Sequence, residues 1–454
     1  MATVIVGGGI IGCSTAFYLS ELVSDPSSIH IVESSPTLFA GASGWAGGFL
    51  AKDWFAPSVS SLGSLSFALH KELSDKYNGV RNWGYLPSTA LSLGIDEDVG
   101  VGGRQRGEDW LLQGASRANA AERTDFLNPD GSPAWLTQQK GGTLEVISGK
   151  NDCAQVDPAQ LCRFLLAESQ RRGVQLHQPA TATSIASNLT TQQIESITIT
   201  PAQINEPSSS SPITLPVKHL ILTAGPWTPK VFSTLFPSSR YRLPISSLAG
   251  HSLLLRSPLH QPPFDAPSQP STNSTYIPTS HAIFCAPSPS SSILFAPELF
   301  TRATGEIYIA GVNSTSKPLP ELATEKDIDE ESVETLKQAA QTLMAAGSQF
   351  QSSSLSTTSS PPPPSSTDLE IVKVGLCWRP VTSNGTPIIS RIPDGKLGGI
   401  KTGGSSEGGC VFVAAGHGPW GISLSLGTGK VMAEMVLEKS EDERSADVGG
   451  LGVV

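Results

Sequence analysis

Hydrophobic and polar positions at the N-terminus predict a strand, a tight turn, a helix and a second strand. Residues 3–6 form a β-branched apolar run that leads into Gly7-Gly8-Gly9-Ile10-Ile11-Gly12. Apolar residues then recur at helical spacing to about Glu21. A second apolar strand, Ile29–Val32, ends at Glu33, twenty-one residues after Gly12. This order of elements is typical of a βαβ unit that binds a dinucleotide.

Each glycine of this Gly-x-Gly-x-x-Gly pattern has a steric role. The first allows the tight turn, the second lets a phosphate approach the backbone, and the third lets helix and strand pack closely. The free N–H groups of the helix attract a pyrophosphate, and the acid after the second strand accepts from ribose hydroxyls. We interpret this set as a site for an ADP-containing cofactor: Gly7, Gly9, Ile10, Ile11, Gly12, Glu33 and Ser34. The alternative is a plain βα turn, since the chain has 44 glycines.

Two later strands also end at glycine. Residues 217–223 precede Gly225, and residues 411–415 precede Gly416-His417-Gly418-Pro419-Trp420-Gly421 and a helix predicted from Ile422 to Val436. Before residues 217–223, Asp157-Pro158 marks the start of a helix that Gly173 ends, and residues 174–177 and 194–199 follow as strands. The pattern therefore predicts one sheet that is assembled from three separated parts of the chain.

Composition excludes several classes of protein. A net charge of −10 and a pI near 5.3 argue against a nucleic-acid partner. No stretch offers the eighteen apolar residues of a membrane span, and the first apolar run lacks the flanks of a signal peptide, so we expect a cytoplasmic protein. Six scattered cysteines without a Cys-x-x-Cys pair predict neither a disulfide framework nor a metal site.

Further motifs occur in an order that carries a family resemblance. They are Ala42-Ser43-Gly44-Trp45-Ala46-Gly47-Gly48-Phe49-Leu50-Ala51, Val156-Asp157-Pro158, Trp378-Arg379-Pro380, Gly385-Thr386-Pro387 and the segment from Gly416 to Gly421. Together with the N-terminal pattern, they resemble the D-amino-acid oxidase, glycine oxidase and sarcosine oxidase superfamily of FAD-dependent amine oxidoreductases. Within it, the chain is most similar to a poorly characterised fungal branch.

The resemblance implies an α/β fold with a discontinuous Rossmann-type FAD-binding domain. That domain would comprise residues 1–55, 150–236 and 385–440, and residues 56–149 and 237–384 would form an α+β substrate domain with a mixed or antiparallel sheet. Ser- and Pro-rich stretches at 207–212, in part of 267–292 and at 351–367 are interpreted as surface insertions, because they are too polar to offset the entropy of ordering.

The resemblance also assigns cofactor contacts outside the N-terminal pattern. Small residues after the second strand would wrap the flavin, one backbone would contact the adenine side, and a helix N-terminus would face the flavin pyrimidine edge. The positions are Ala42, Ser43, Ala46, Gly47, Gly48, Ala180, Gly225, Gly416, His417, Gly418, Gly421 and Ile422. We expect no catalytic base at His417, since hydride transfer from a neutral amine requires none.

Three residues carry the predicted chemistry by similarity. Arg379 would bind a substrate carboxylate through its planar fork, although Pro419-Trp420 replaces a second arginine and weakens the case for a simple α-amino acid. Lys52 would present a cation to the flavin or to superoxide, unless it is solvated or paired with Asp53. Cys377 either tethers the flavin through a thioether or is a free buried thiol, and we expect the free form.

The predicted function is oxidation of a small-molecule amine. FAD would accept hydride from the carbon beside the nitrogen, and dioxygen would serve as the final acceptor and yield hydrogen peroxide. Two alternatives remain open from sequence. The protein could be an FAD dehydrogenase with another acceptor, or a non-catalytic FAD-binding protein that acts through partners.

Overall fold

The computed structural model describes residues 1–94, 132–133, 135–137, 139, 142–202, 211–260, 279–287, 293–344, 369–402 and 409–453. The strands of these residues are β1 Ala2–Val6, β2 Ile29–Val32, β3 Phe49–Ala51, β4 Leu86–Gly94, β5 Thr143–Ser148, β6 Cys153–Gln155, β7 Gln175–His177, β8 Ala180–Ser187, β9 Ile194–Pro201, β10 Ile213–Leu222, β11 Ser246–Arg256, β12 Ser280–Cys285, β13 Glu298–Thr301, β14 Glu306–Ser314, β15 Glu370–Val381, β16 Ile388–Arg391 and β17 Cys410–Ala415. The helices are α1 Ile10–Leu22, α2 Ala42–Trp45, α3 Pro57–Tyr77, α4 Gly79–Asn82, α5 Pro158–Arg172, α6 Thr228–Leu235, α7 Glu330–Met344 and α8 Ser425–Val436.

The first sheet is assembled from three distant parts of the chain. Its order is β16-β17-β10-β1-β2-β7, and β17, β10, β1, β2 and β7 run parallel to their neighbours while β16 is antiparallel. The antiparallel pair β8 and β9 is attached to this sheet because β9 pairs with the first half of β10. This confirms the predicted discontinuous Rossmann-type sheet. Strand β10 begins at Ile213 rather than at 217, because its first residues pair with β9 before the strand enters the parallel sheet.

The second sheet is mixed, as expected. Its order is β15-β11-β14-β13-β12-β4-β6-β3, with β5 beside β4, and only β12 and β4 pair in parallel. Strands β3 and β6 belong here, although the sequence assigned residues 1–55 and 150–236 to the FAD-binding domain. The domain boundaries themselves stay a prediction.

The Ser/Pro-rich insertion expected over part of 267–292 does not include residues 280–285. Residues 280–285 form β12, every residue of which is buried between β13 and β4, because His281-Ala282-Ile283-Phe284-Cys285 supplies an apolar run inside the polar stretch. The rest of that insertion lies mostly outside the described residues. The insertion at 351–367 lies wholly outside them, as does most of 207–212.

Local signals fix the helices as the sequence suggests. The Asp157 carboxylate accepts from the Gln160 N–H at 3.0 Å, Pro158 occupies the first turn of α5, and Gly173 ends the helix. All six cysteines are buried and free. Among the described helices, none combines the length and apolarity that a bilayer crossing requires.

Helices α1 and α8 pack so closely that the backbone of one lies against the backbone of the other. A Cβ at Gly429 of α8 would lie 2.5 Å from the Ser14 carbonyl carbon of α1. A Cβ at Gly427 would lie 3.0 Å from the Leu62 carbonyl oxygen of α3, so α3 also packs on α8. Small residues on α8 therefore let both neighbouring helices approach.

We expect Gly429→Ala to destabilise the fold, because a methyl group at the α1–α8 contact must push two backbones apart. Overpacking of this kind costs about 1–3 kcal/mol. Gly395→Ala is the control, since a Cβ at Gly395 would meet no atom within 4 Å. Chemical denaturation measures both free energies of unfolding. Equal stability of the two variants would contradict the close helix contact.

Candidate active site

A cleft opens where the parallel strands β1, β10 and β17 end. Residues of both sheets line it, including Val6 and Thr223 from the first sheet and Phe300 and Arg379 from the second. The carboxyl ends of parallel strands commonly form a ligand site where the strand order reverses. Here the reversal lies at β1, with β2 on one side and β10 on the other.

Glycines let the first turn fit between the strands. Gly7 has a φ of +116°, and a Cβ there would lie 2.6 Å from the Thr223 carbonyl. The Thr223 hydroxyl donates to the Gly7 carbonyl at 2.9 Å. A Cβ at Gly12 would lie 2.0 Å from that same carbonyl, so Gly12 allows α1 to pack on β1. Gly12 does not itself line the cleft, and its role is in packing.

Glu33 is fixed at the edge of the cleft by backbone donors. Its Oε2 accepts from the Gly8 N–H and its Oε1 from the Ser35 N–H, both at 2.8 Å. Burial raises the pKa of Glu33, and these backbone hydrogen bonds oppose that rise by stabilising the carboxylate. Each oxygen keeps a lone pair for a further donor, as binding to ribose hydroxyls requires.

The N-terminus of α1 is tied to the segment that was predicted to wrap the flavin. The Ile10 N–H donates to the Ser43 hydroxyl at 2.9 Å, and Ser43 belongs to α2. A Cβ at Gly9 would lie 2.9 Å from that hydroxyl. The donors of the first turn of α1 and the small residues of α2 therefore meet at one end of the cleft.

The residues present fit an extended dinucleotide. Gly225 and Gly418 both line the cleft with φ near +55°, and a Cβ at either would meet no atom within 4 Å. Any side chain there would occupy the open space of the cleft. Its lining includes these predicted residues: Gly7, Gly9, Ile10, Ile11, Glu33, Ser34, Ala42, Ser43, Ala46, Gly47, Gly48, Ala180, Gly225, His417, Gly418, Gly421 and Ile422.

The segment after β17 differs from its predicted form. Gly416 and Gly418 have φ values of +84° and +57°, which a right-handed helix cannot contain, and Gly418–Trp420 forms a 3-10 turn. Residues 421–424 form turns, and helix α8 begins at Ser425 and not at Ile422. Gly416 lies behind the cleft, where a Cβ would be 2.7 Å from the Thr382 methyl group.

His417 lines the cleft as a neutral ring. Its Nε2 lies 3.1 Å from the buried Thr428 hydroxyl. Burial lowers the pKa of His417 to about 3, because no charged partner compensates for lost hydration. The ring therefore brings no positive charge to the cleft at neutral pH.

Arg379 lines the cleft from β15 of the second sheet, whereas Glu33 follows β2 of the first. Its Nη1 donates to the Asn313 Oδ1 at 2.6 Å, and its Nη2 lies 3.8 Å from the Glu298 Oε1. A Cβ at Gly250 would be 2.9 Å from Nη1, so the guanidinium rests on the β11 backbone. Burial alone would lower the pKa of Arg379, but the buried Glu298 carboxylate raises it and keeps the cation in place.

Aromatic rings surround this charged end. The Phe300 ring stacks on Tyr308 with centroids 6.0 Å apart and on Phe49 with centroids 5.6 Å apart. A Cβ at Gly47 would lie 2.4 Å from the Phe300 ring, so that glycine is needed for the ring to pack. Trp420 also lines the cleft. Apolar walls strengthen the electrostatic interactions of any charged group between them.

The structure does not bring Lys52 into the cleft. Its side chain is 48% exposed, and its Nζ lies 3.2 Å from the Asp152 carboxylate rather than pairing with Asp53. Strand β3 ends at Ala51, and the next side chain turns to solvent. Cys377 does line the cleft, and burial raises the pKa of its thiol while Arg379 opposes that rise. The free state of Cys377 toward flavin stays a prediction.

Sequence reasoning missed the partners of Arg379. Glu298 and Asn313 lie on β13 and β14, far from the Trp-Arg-Pro motif in the chain. One signal was available, since Glu298 is a lone acid within the apolar stretch from Ile293 to Phe300. A buried acid in such a stretch commonly has a functional or ionic partner.

Comparisons with known proteins agree with this geometry. A sequence profile described as FAD dependent oxidoreductase matches residues 2–435. A Schizosaccharomyces pombe protein, provisionally named an oxidoreductase, is 28% identical over 98% of this chain and 96% of its own length. Glycine oxidase from Geobacillus kaustophilus superposes with a TM-score of 0.65 at 18% identity, over 100% of this chain and 98% of that one.

A further solved structure shares the fold. L-amino acid deaminase from Proteus vulgaris has a TM-score of 0.64 at 14% identity, over 99% of this chain and 96% of its own. Identities this low show the fold alone. The profile match confirms the predicted family and its cofactor, FAD.

We expect Gly9→Val to abolish FAD binding, because a branched side chain would fill the space beside Ser43 that the pyrophosphate must approach. Absorbance spectra of the purified variant would then lack flavin bands, while circular dichroism would show native secondary structure. A folded Gly9→Val protein that retains stoichiometric flavin would contradict this placement.

Proposed function

Because the chain belongs to the FAD-dependent oxidoreductase family, we propose that it oxidises an amino acid or an N-substituted amino acid at the carbon beside the nitrogen. When bound, FAD supplies the acceptor for the hydride, and dioxygen then takes the two electrons and yields hydrogen peroxide. The observation that carries the proposal is Arg379, a cation whose side chain is only 11% exposed and which lines the same cleft as the glycine-rich cofactor site.

Arg379 suits the role of carboxylate anchor. Its planar fork can hold a carboxylate at two points, and this would orient the adjacent C–H toward the cofactor end of the cleft. Asn313 and the Gly250 backbone restrict the guanidinium to one position. Little conformational entropy is therefore lost when a substrate binds.

The other lining residues support oxidation of a neutral amine. The aromatic walls exclude water from the reacting centre, and His417 stays uncharged beside it. The names of solved relatives support the same substrate class, since they include a glycine oxidase and an L-amino acid deaminase. The cytoplasmic location stays a prediction from the sequence.

The direct test mixes the FAD-loaded protein anaerobically with D-, L-, N-methyl and glycated amino acids. We expect at least one to bleach the flavin absorbance, and subsequent admission of air to restore it with stoichiometric hydrogen peroxide. Bleaching that dioxygen does not reverse would identify a dehydrogenase with another acceptor. No bleaching by any amine would contradict the proposed reaction.

We expect Arg379→Ala to retain FAD and to lose about 2–5 kcal/mol of transition-state binding, the range for truncating one partner of a buried charge pair. Most of this loss should appear in kcat/KM for a carboxylate-bearing substrate. Arg379→Lys should restore only part of it, because an ammonium lacks the planar fork. Parental rates in both variants would show that another group anchors the substrate.

A further inference from the structure

Glu298 is a buried acid that lines the cleft without a direct hydrogen bond. Its side chain is 9% exposed and belongs to β13. The described part of the chain gives its carboxylate no hydrogen-bond donor, and its one charged neighbour, Arg379, lies 3.8 Å away. That separation is too long for a direct hydrogen bond. The carboxylate is therefore held near the guanidinium but keeps its accepting capacity for a ligand.

The two side chains together make the end of the cleft electrically neutral. A ligand with only a carboxylate gains attraction from Arg379 but meets repulsion from Glu298 across an apolar site. A ligand with only an ammonium group is attracted by Glu298 and repelled by Arg379. A zwitterion brings both charges and can satisfy both side chains, which offsets the cost of their desolvation.

We propose that Glu298 receives the ammonium group of the substrate while Arg379 holds its carboxylate, so that the site selects zwitterionic amino acids. This inference rests on the proposed function and specifies its substrate class. Glu298 also accepts a proton before oxidation. One N–H bond of the ammonium breaks and an O–H bond forms on Glu298, which leaves the neutral amine with the lone pair that hydride loss from the adjacent carbon requires. Glu298 returns the proton to water after the product leaves.

The surroundings of Glu298 suit a proton acceptor. Burial raises the pKa of Glu298, and Arg379 opposes that rise. Tyr308 on β14 also interacts with Glu298, and Cys377 on β15 adjoins Arg379 and Lys326. Burial raises the pKa of both Tyr308 and Cys377, so they stay neutral at pH 7. Among the groups that interact with Glu298 directly, Arg379 therefore carries the opposing charge.

Two ligands that share the 3-phenylpropanoate framework separate the roles. α-Methylphenylalanine is a zwitterion without the C–H that oxidation removes, and 3-phenylpropanoate has the carboxylate and ring but no amine. Titration calorimetry on the FAD-loaded protein measures both affinities without turnover. We expect Glu298→Gln to lower the affinity for α-methylphenylalanine at least about tenfold, as loss of a buried ionic partner does. The same variant should bind 3-phenylpropanoate more tightly, because the repulsion from Glu298 is gone.

Two control variants distinguish a direct contact with the ligand from a general effect of net charge or of impaired folding. Glu370→Gln removes the same charge from β15, where Glu370 is 63% exposed and pairs with Arg256, and should change neither affinity. Glu298→Asp keeps the negative charge and should bind the zwitterion better than Glu298→Gln. If Glu298→Gln folds poorly, Glu298→Asp against the parent still tests whether the position of the carboxylate affects zwitterion binding.

The pH dependence gives an independent readout. Affinity of the parent for α-methylphenylalanine should fall as the pH drops through the raised pKa of Glu298, because protonation removes the charge that the ammonium meets. Glu298→Gln should lack this dependence. Binding of 3-phenylpropanoate by the parent should strengthen over the same pH interval.

Three outcomes would overturn the inference. If Glu298→Gln lowered the affinities for both ligands by similar factors, Glu298 would only position Arg379. Unchanged affinities would mean that Glu298 does not meet the ligand, and failure of the parent to bind α-methylphenylalanine would exclude zwitterion selection. If the predicted affinities hold but no amine bleaches the flavin, the proposed reaction fails while recognition stands.

Discussion

The close contact of the Gly7 turn with the end of β10 determines how the cofactor end of the cleft is built. Because Gly7 lies against the Thr223 carbonyl, the carboxyl ends of β1 and β10 open at one edge of the sheet. The N-terminus of α1 and the acid after β2 then face the same space. Strand β17 pairs with β10, so the His417 segment reaches that edge as well. Three distant parts of the chain thus form one site.

The second sheet supplies the complementary end and sets its charge. Arg379, Asn313 and Glu298 lie on three strands of that sheet, and the Gly250 backbone supports the guanidinium from a fourth. The stacked rings of Phe300 and Tyr308 line the same cleft, and apolar walls of this kind lower the local dielectric constant. A buried pair at 3.8 Å is weak evidence for stability, since desolvation offsets its attraction. Its position in the cleft argues for recognition.

Local motifs carried most of what the sequence could predict. The strand, glycine turn and helix at the N-terminus depend on neighbouring residues, so their steric logic is visible in the chain. The discontinuous sheet followed from three strands that each end at glycine. Buried β12 was missed because its apolar run is short and polar stretches flank it. The start of α8 was misplaced by three residues because Ile422 fits the helical spacing of apolar residues, whereas residues 421–424 form turns before the helix.

The remaining features of the site depend on which strands pair in the second sheet, and local motifs do not reveal that pairing. Glu298 and Arg379 are 81 residues apart in the chain, and only the order of β13, β14, β11 and β15 brings them together. Lys52 follows the segment that was predicted to wrap the flavin, yet its side chain lies in solvent after the end of β3. A side chain next to a motif thus need not reach its ligand, whereas a distant residue on an adjacent strand can.

A crystal structure of the FAD-loaded protein with α-methylphenylalanine tests the central claim most directly. The account predicts the pyrophosphate against the Gly7 turn and α1, with the ligand carboxylate at Arg379 and its ammonium at Glu298. A ligand bound in the cleft with its carboxylate away from Arg379, or FAD bound elsewhere in the protein, would contradict it.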